Sequence, residues 1–351
     1  MLRCEAPLPT PDVLGYRLRA RTTFMRRREF ITLLGGAAAA WPLAGRAQRP
    51  GTPVIGFLTS ASAQGFSGLV AAFREGLNET GYSEGRNVAI EFRYANGDYD
   101  QLTPIAADLV RRDVAVIVAG GGAVAVLAAK RAAPTTPIVF GIGDDPIKFG
   151  LVDNLNRPGG NITGVTLFIS VLSGKRLELL SELNPSTSYI ALLLNPKNPN
   201  AEDEKRETES AARAAGRELR ILPASTDGEI EAALSTLVGK NGASLLVGTD
   251  TFFFSHRDKI VGFANRHAIP AAYFVREFAA AGGLMSYGTD FAREWHQVGI
   301  YTGRILKGAK PADLPVTQPT TFEFVINLKT ARALAIDIPA KLLALADEVI
   351  E

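Results

Sequence analysis

Three consecutive glycines and a pair of adjacent acids are the residues of this sequence best suited to contact a small molecule. Gly120, Gly121 and Gly122 stand between an apolar segment and an alanine-rich one, and Asp144 and Asp145 follow the next apolar segment. Backbone N–H groups at a glycine turn that opens a helix bind anions. A carboxylate binds a hydroxyl or an ammonium group, although an acid that precedes a proline, as Asp145 does, often caps the following turn. The pattern indicates a site for a small polar ligand.

The same glycines also fit a dinucleotide-binding motif. Gly120, Gly122 and Ala125 match the spacing G-x-G-x-x-G/A, and Asp144 follows about 20 residues later, where a ribose-binding acid is expected. That motif follows the first strand of its domain, whereas two strand-like segments precede these glycines. The chain has no Gly-Lys-Ser/Thr after them, which excludes a P-loop. An exported, dinucleotide-dependent oxidoreductase is therefore the alternative to a binding protein.

Other catalytic and metal-binding patterns are missing from the sequence. The three histidines, His256, His267 and His296, lack the HExxH spacing, and the serine-rich segment 59–68 has no nucleophile elbow. The single cysteine, Cys4, lies near the amino terminus, so the body of the chain has no thiolate ligand and no disulfide. We expect a protein without catalytic residues, metal or cofactor.

The first 47 residues have the features of an export signal. Met25 is followed by three arginines, a short apolar segment and small residues up to Ala47, after which we expect cleavage. Arg27 and Arg28 resemble the twin-arginine export motif. The residues before Met25 are interpreted as an extension or as a misassigned start. The sequence therefore predicts a periplasmic protein.

The net charge of +2 comes from this leader. Its eight arginines and three acids amount to +5, so about −3 remains for residues 48–351. A body of this charge gives no indication of binding to nucleic acid. The apolar run between Asp113 and Lys130 falls short of the about 18 residues of a membrane span and is interrupted by glycines.

After the leader, apolar segments typical of buried strands alternate with helical segments. We expect one strand within TPIVFGIGDDP, further strands at 54–58, 88–94, 114–118, 189–194, 219–222, 245–247, 271–274 and 284–287, and helices at 66–80, 102–111, 123–132, 171–183 and 291–306. This alternation predicts an α/β fold with parallel sheets covered on both faces. The segments that begin VAVIVAGGG and ASLLVGTDT share one order of strand, loop, helix, proline turn and strand. Two such series predict two lobes that face each other across a cleft.

Three blocks of the sequence carry a resemblance to a known family. They are GIGDDPIKFGLVDNLNRPGGNITGVT, LLLNPKNPNAE and the long block from AGGLMSYGTDFAREWHQ to TARALAIDIP. They resemble the ABC transporter substrate-binding protein family that includes periplasmic tryptophan- and tyrosine-binding members, over residues 53–350. The resemblance implies a type I periplasmic binding fold, in which two Rossmann-like lobes joined by three crossovers close on a small ligand. It also implies an ABC permease in the inner membrane as the partner.

The resemblance also implies where the chain passes between lobes. The expected parts are a leader and extension at 1–47, a first lobe of 48–166 and 288–318, and a second lobe of 167–287 and 319–351. The second crossover should place helix 291–306 on the first lobe, and the proline-rich segment KPADLPVTQP should connect the lobes again. The protein is expected to be a monomer that carries a small polar ligand such as an amino acid.

Loops at the carboxyl ends of facing strands should converge on the ligand. We predict a first wall of Ser60, Gly121, Gly122 and Asp144, and a second wall of Asn195, Thr249, Asp250, Tyr273 and Ser286. The carboxylate of a zwitterionic ligand would suit the helix start behind Gly122, and its ammonium group would bind Asp250, which lies among aromatic residues in GTDTFFF.

Overall fold

The computed structural model describes residues 51–351, and the predicted leader, 1–47, lies outside the described residues. Two sheets flanked by helices form two lobes in this part of the chain, one with five strands and one with seven. The predicted α/β class, with two lobes of parallel strands, is confirmed. Within residues 51–351, no helix combines the length and the apolar composition needed to cross a membrane.

The sheet of the first lobe is entirely parallel. In chain order, its elements are β1 (Val54–Thr59), α1 (Ala63–Glu79), β2 (Ala89–Tyr94), α2 (Leu102–Arg111), β3 (Val116–Gly120), α3 (Ala123–Ala132), β4 (Ile138–Ile142) and β5 (Ile162–Thr166). The strand order is β2-β1-β3-β4-β5. Strands β3, β4 and β5 are buried throughout, as expected of parallel strands covered by helices on both faces.

The second lobe continues the same alternation around a longer sheet. Its elements are α4 (Ser173–Leu183), β6 (Tyr189–Leu194), α5 (Ala201–Ala214), β7 (Glu218–Pro223), α6 (Asp227–Ser235), β8 (Ala243–Val247), α7 (Thr251–Ser255), α8 (Arg257–Arg266), β9 (Ala271–Tyr273), α9 (Arg276–Ala280), β10 (Met285–Gly288), β11 (Glu323–Asn327), α11 (Leu328–Ala333), α12 (Ala340–Leu345) and β12 (Glu348–Ile350). Helix α10 (Phe291–Leu306) lies between β10 and β11 in the chain. The strand order is β12-β11-β10-β9-β8-β6-β7.

One strand pair departs from the parallel arrangement. Strand β11 runs antiparallel to β10, with Ser286 opposite Val325. The chain enters β11 from the first lobe, so it begins at the edge where the neighbouring strands end and must run back along β10. The sheet of the second lobe therefore contains an antiparallel strand pair among parallel ones.

Helix α10 packs on the first lobe although it follows a strand of the second. Glycines make its contact with α1 close, because a Cβ on Gly76 would collide with the carbonyl of His296 and one on Gly299 with the carbonyl of Phe73. After α10 the chain runs beside β5, where the N–H of Thr317 donates to the carbonyl of Gly164 at 3.1 Å. The segment that leads back to the second lobe therefore lies beside the end of β5, where the chain first leaves the first lobe.

The strand before the three glycines is shifted from its predicted position. It was expected at 114–118 and lies at Val116–Gly120. Gly120 still belongs to the sheet because it pairs with Thr59 on one side and Gly141 on the other. The turn therefore consists of Gly121 and Gly122.

Candidate functional site

A cavity lies between the two lobes, at the carboxyl ends of strands β3, β4 and β8. The first lobe contributes the segments after β2, β3 and β4 and two helices, the segment after β5 contributes where the chain leaves that lobe, and the second lobe contributes the segments after β6, β8 and β9. The centres of water molecules can occupy a volume of about 50 Å³ in the cavity. This volume is enough for more than one water. Ligands of open α/β folds bind at this edge of the sheet, which makes the cavity a candidate binding site.

The turn after β3 forms part of the first wall and depends on glycine. Gly121 and Gly122 have φ angles of 85° and 96°, in the region that favours glycine. The hydroxyl of Ser60 donates to the carbonyl of Gly121 at 2.5 Å. Ser60 was predicted to line the cavity, but it is buried behind the turn and fixes the position of Gly121.

Asp144 lines the cavity and caps helix α3. Its Oδ2 accepts from the N–H of Ala123 at 2.6 Å, and its Oδ1 accepts from the side chain of Asn200, across the cavity in the second lobe. Burial raises the pKa of this carboxyl to about 6. The helix start behind Gly122, where we expected a ligand carboxylate, is thus partly occupied by a carboxylate of the protein itself.

Asp250 occupies the matching position on the second wall. It caps helix α7 by accepting from the N–H of Phe252 at 2.7 Å. It also accepts from Asn198 at 2.7 Å and from Asn195 at 3.3 Å. Its last partner is the hydroxyl of Tyr99 in the first lobe, 2.9 and 3.0 Å from the two carboxylate oxygens. Burial raises the pKa of Asp250 to about 6.

The two acids give the cavity a negative character. The charge of Asp250 contributes to the raised pKa of Asp144, and both charges help raise the pKa of Tyr99, whose main cause is burial. No lysine, arginine or histidine is among the described residues that line the cavity. A cationic group bound between the acids would therefore relieve their repulsion.

Aromatic side chains form the apolar part of the cavity. Trp295 of α10 and Phe66 of α1 meet edge to face with their ring centres 4.8 Å apart. A Cβ on Gly120 would clash with the indole of Trp295, and one on Gly141 would lie 3.1 Å from it. The indole has room beside the two strands because both residues are glycines. The remaining apolar lining includes Phe254, Phe274 and Phe291.

Three of the residues predicted for the second wall do not line the cavity. Asn195 is buried and acts through its bond to Asp250. Tyr273 stacks on Phe278 with ring centres 4.8 Å apart, and Ser286 is the strand neighbour of Tyr273 on β10. Both side chains are buried in the lobe because they lie within strands rather than beyond their ends. Phe274, Thr249 and Asp250, which follow strands, face the cavity.

The site offers little for metal or dinucleotide binding. Within residues 51–351, no group of three or more His, Cys, Asp or Glu side chains is arranged to hold a metal ion. The bound carboxylate of Asp144 at the N–H of Ala123 occupies the place where a dinucleotide pyrophosphate would approach the helix start.

The architecture and the inter-lobe cavity agree with comparisons to known proteins. Residues 55–350 match the family described as ABC transporter substrate binding protein. The chain belongs to this family. Its members are binding proteins for transport, extracellular or periplasmic in location, and the oxidoreductase alternative finds no support among its relatives.

Individual proteins are also similar to this member of the ABC transporter substrate binding protein family. A tyrosine-binding protein of Clostridioides difficile (strain R20291) is 30% identical over 264 residues, which cover 75% of each chain. An ABC domain from Streptococcus pneumoniae, crystallised in complex with L-Trp, is 27% identical with a TM-score of 0.75, over 85% of this chain and all of that one. A conserved domain protein from Vibrio cholerae is 25% identical with a TM-score of 0.75, over 85% of this chain and 99% of that one.

Proposed function

We propose that this protein captures a small ligand bearing an ammonium group and an apolar part, and delivers it to an ABC permease without chemical change. The observation that carries the proposal is the pair Asp144 and Asp250, which approach the same cavity from opposite lobes. A cation between them contacts both lobes at once and therefore favours their closed arrangement.

The aromatic lining supports an apolar or aromatic ligand side chain. The rings of Trp295, Phe66 and Phe274 can cover such a group by stacking or edge contacts. An aromatic amino acid has both an ammonium group and a planar side chain, like the ligands named for the two relatives that bind tyrosine and L-Trp. The proposed ligand class is therefore aromatic amino acids and related amines.

The carboxylate of an amino-acid ligand needs a partner other than Ala123, whose N–H is bound by Asp144. Val124 is the second residue of α3 and also lines the cavity. The N–H groups of a first helical turn have no acceptor within the helix. We assign the ligand carboxylate to the N–H of Val124.

Contacts between the lobes outside the cavity support the closing role. The hydroxyl of Ser255 accepts from the N–H of Ser62 at 3.2 Å, and Arg257 donates to the carbonyl of Gly65 at 3.2 Å. These contacts join the start of α1 to the end of α7 and the start of α8. The segments that would act as hinges lie near residues 166–169, 288–290 and 318–322, at the proposed lobe boundaries.

The proposed location is the periplasm, reached through the leader. Replacing Arg27 and Arg28 by lysine should leave the precursor in the cytoplasm if the twin-arginine route is used. Full export of that variant would contradict this route but not secretion itself.

Mass spectrometry of the exported form should show cleavage after Ala47, and gel filtration should show a monomer.

A thermal unfolding screen tests the proposed ligand class. Protein that begins at Gln48 is incubated with amino acids, amines, sugars, nucleosides and NAD. A ligand at 100 times its dissociation constant adds about 2.7 kcal/mol of stability, so aromatic amino acids or amines should raise the melting temperature. Stabilisation by sugars or NAD alone would contradict the proposal.

A further inference from the structure

A buried arginine of the second lobe lies behind the cavity wall. Arg176 of α4 is fully buried, and burial lowers the pKa of its guanidinium to about 10. Its Nη2 donates to the hydroxyls of Thr249 at 2.8 Å and Ser173 at 2.6 Å, and its Nη1 donates to the carbonyl of Ile169 at 3.1 Å. With this pKa the guanidinium is charged at neutral pH, so its bonds are charge-assisted and stronger than neutral ones.

The partner charge is Glu204 at the start of α5, which is also buried. One of its oxygens lies 3.5 Å from Nη2 of Arg176. Its carboxylate accepts from the N–H of Thr249 at 2.9 and 3.1 Å and from the hydroxyl of Ser173 at 2.5 Å. The buried pair therefore holds both the backbone and the side chain of Thr249.

The groups bound by this pair belong to the ligand site and to the crossovers. Thr249 and Ile169 line the cavity, and Asp250 directly follows Thr249. Ile169 comes just after the first crossover leaves β5. The carbonyl of Tyr287, 3.5 Å from Nη1 of Arg176, comes just before the second crossover begins. A single guanidinium thus contacts three separate segments of the chain.

We propose that Arg176 is a positioning residue for ligand capture, which holds the Thr249–Asp250 segment and Ile169 in the geometry that receives the ligand. It acts through these residues and does not itself contact the ligand. The planar guanidinium can bind several acceptors in fixed directions at once, and the ammonium group of lysine cannot reproduce that arrangement. The proposal rests on the cavity being the ligand site.

The test compares three variants with the wild-type protein that begins at Gln48. Arg176→Lys keeps the charge and removes the fork geometry. Arg176→Met combined with Glu204→Gln removes both charges, which avoids leaving one buried charge unpaired. The control is Arg217→Lys, because Arg217 also donates to backbone carbonyls of the second lobe, those of Pro185 and Thr187, but does not line or support the cavity.

Amide hydrogen exchange of the ligand-free protein measures the positioning directly. In both Arg176 variants, exchange should accelerate at least tenfold in peptides covering 249–252 and 169–173, with little change across β6 and β7. In the control, exchange should accelerate around residue 187 only. Unchanged exchange at 249–252 and 169–173, or a uniform increase throughout the lobe, would overturn the proposal.

Calorimetric titration with tryptamine as the probe adds a functional readout. Arg176→Lys should weaken binding at least tenfold. The loss in the double variant Arg176→Lys with Thr249→Val should be smaller than the sum of the losses in the two single variants, because both changes disrupt the same contact. Additive losses, or unchanged affinity in Arg176→Lys, would contradict positioning. A wild-type protein that fails to bind tryptamine contradicts the proposed function instead, and the exchange experiment still decides the role of Arg176.

Discussion

Tyr99 of the first lobe donates its hydroxyl to both carboxylate oxygens of Asp250 in the second, at 2.9 and 3.0 Å. This bond joins the two lobes at the edge of the cavity, so separating the lobes would break it. Because its acceptor is the acid that we assign to the ligand ammonium group, the same carboxylate contributes to closure and to recognition.

Removing the tyrosine hydroxyl should weaken ligand binding without disturbing either lobe. In Tyr99→Phe the ring remains, but the closed state loses a bond to a charged group, worth about 1.5–3 kcal/mol. We expect a loss of affinity of about ten- to hundredfold. The control is Tyr82→Phe, which removes a bond from the tyrosine hydroxyl to the carbonyl of Leu306 within the first lobe. Equal affinities in the two variants would show that the Tyr99 bond does not contribute to closure.

Replacing Asp250 should affect both binding and stability. Asp250→Asn removes the charge that binds the ammonium group, so affinity should fall at least tenfold. Asp250→Ala also leaves the cap of α7 and the amides of Asn195 and Asn198 without their acceptor, so it should lower the melting temperature of the empty protein as well. Calorimetry and thermal unfolding of both variants separate the two effects. Full affinity in Asp250→Asn would exclude Asp250 as the cation partner.

Two glycines of α1 provide a matched pair for testing closure. A Cβ on Gly65 would lie 2.9 Å from the Cα of Ser255 in the other lobe, whereas one on Gly68 would meet nothing within 4 Å. Gly65→Ala should therefore hinder closure and weaken binding several-fold. Gly68→Ala should leave affinity unchanged and add about 0.5–1 kcal/mol of stability through its helix propensity. If both variants bind the ligand equally well, the lobes do not approach at this point in the bound state.

Acidity should act in opposite directions on stability and on binding. Burial raises the pKa of Asp144 and Asp250 from an ordinary value of 3.8 to about 6, so the folded protein holds protons that the unfolded chain has released. The stability that these groups contribute is complete below pH 3.8 and is lost as the pH rises through about 6. An ammonium ligand prefers the ionised acids, so its affinity should rise over the same interval.

Melting temperatures and dissociation constants measured from pH 4.5 to pH 8 check this relationship. Affinity should increase by up to about tenfold per pH unit below pH 6 for each carboxylate that must ionise. Asp144→Asn and Asp250→Asn should each reduce the slope. If an amine binds with the same affinity across this pH range, both acids are already ionised in the empty protein.

The sequence predicted the parts of the site that lie at strand ends. Gly121, Gly122, Asp144 and Asp250 follow continuous apolar runs, and such runs locate the carboxyl edges of parallel strands. The proline after Asp145 also predicted correctly that this acid caps its own turn, since its Oδ1 accepts from the N–H of Ile147 at 2.9 Å. The positions of these residues at strand ends could be predicted from the local sequence alone.

The aromatic wall and the partners of the acids could not be predicted in the same way. Trp295 reaches the cavity because α10 packs on the first lobe and because Gly120 and Gly141 leave space for its indole, and this relationship joins three distant segments. Tyr99 lies beyond β2, at a strand end that the prediction left out. Tyr273 was placed one residue too early, since Phe274 is the first residue beyond β9.

The proposed recognition depends above all on the ammonium group of the ligand. The direct test is calorimetric titration with L-tryptophan, tryptamine and indolepropionate, which differ in the ammonium and carboxylate groups. We expect L-tryptophan and tryptamine to bind and indolepropionate not to bind. Binding of indolepropionate as tightly as tryptamine would contradict the proposed recognition.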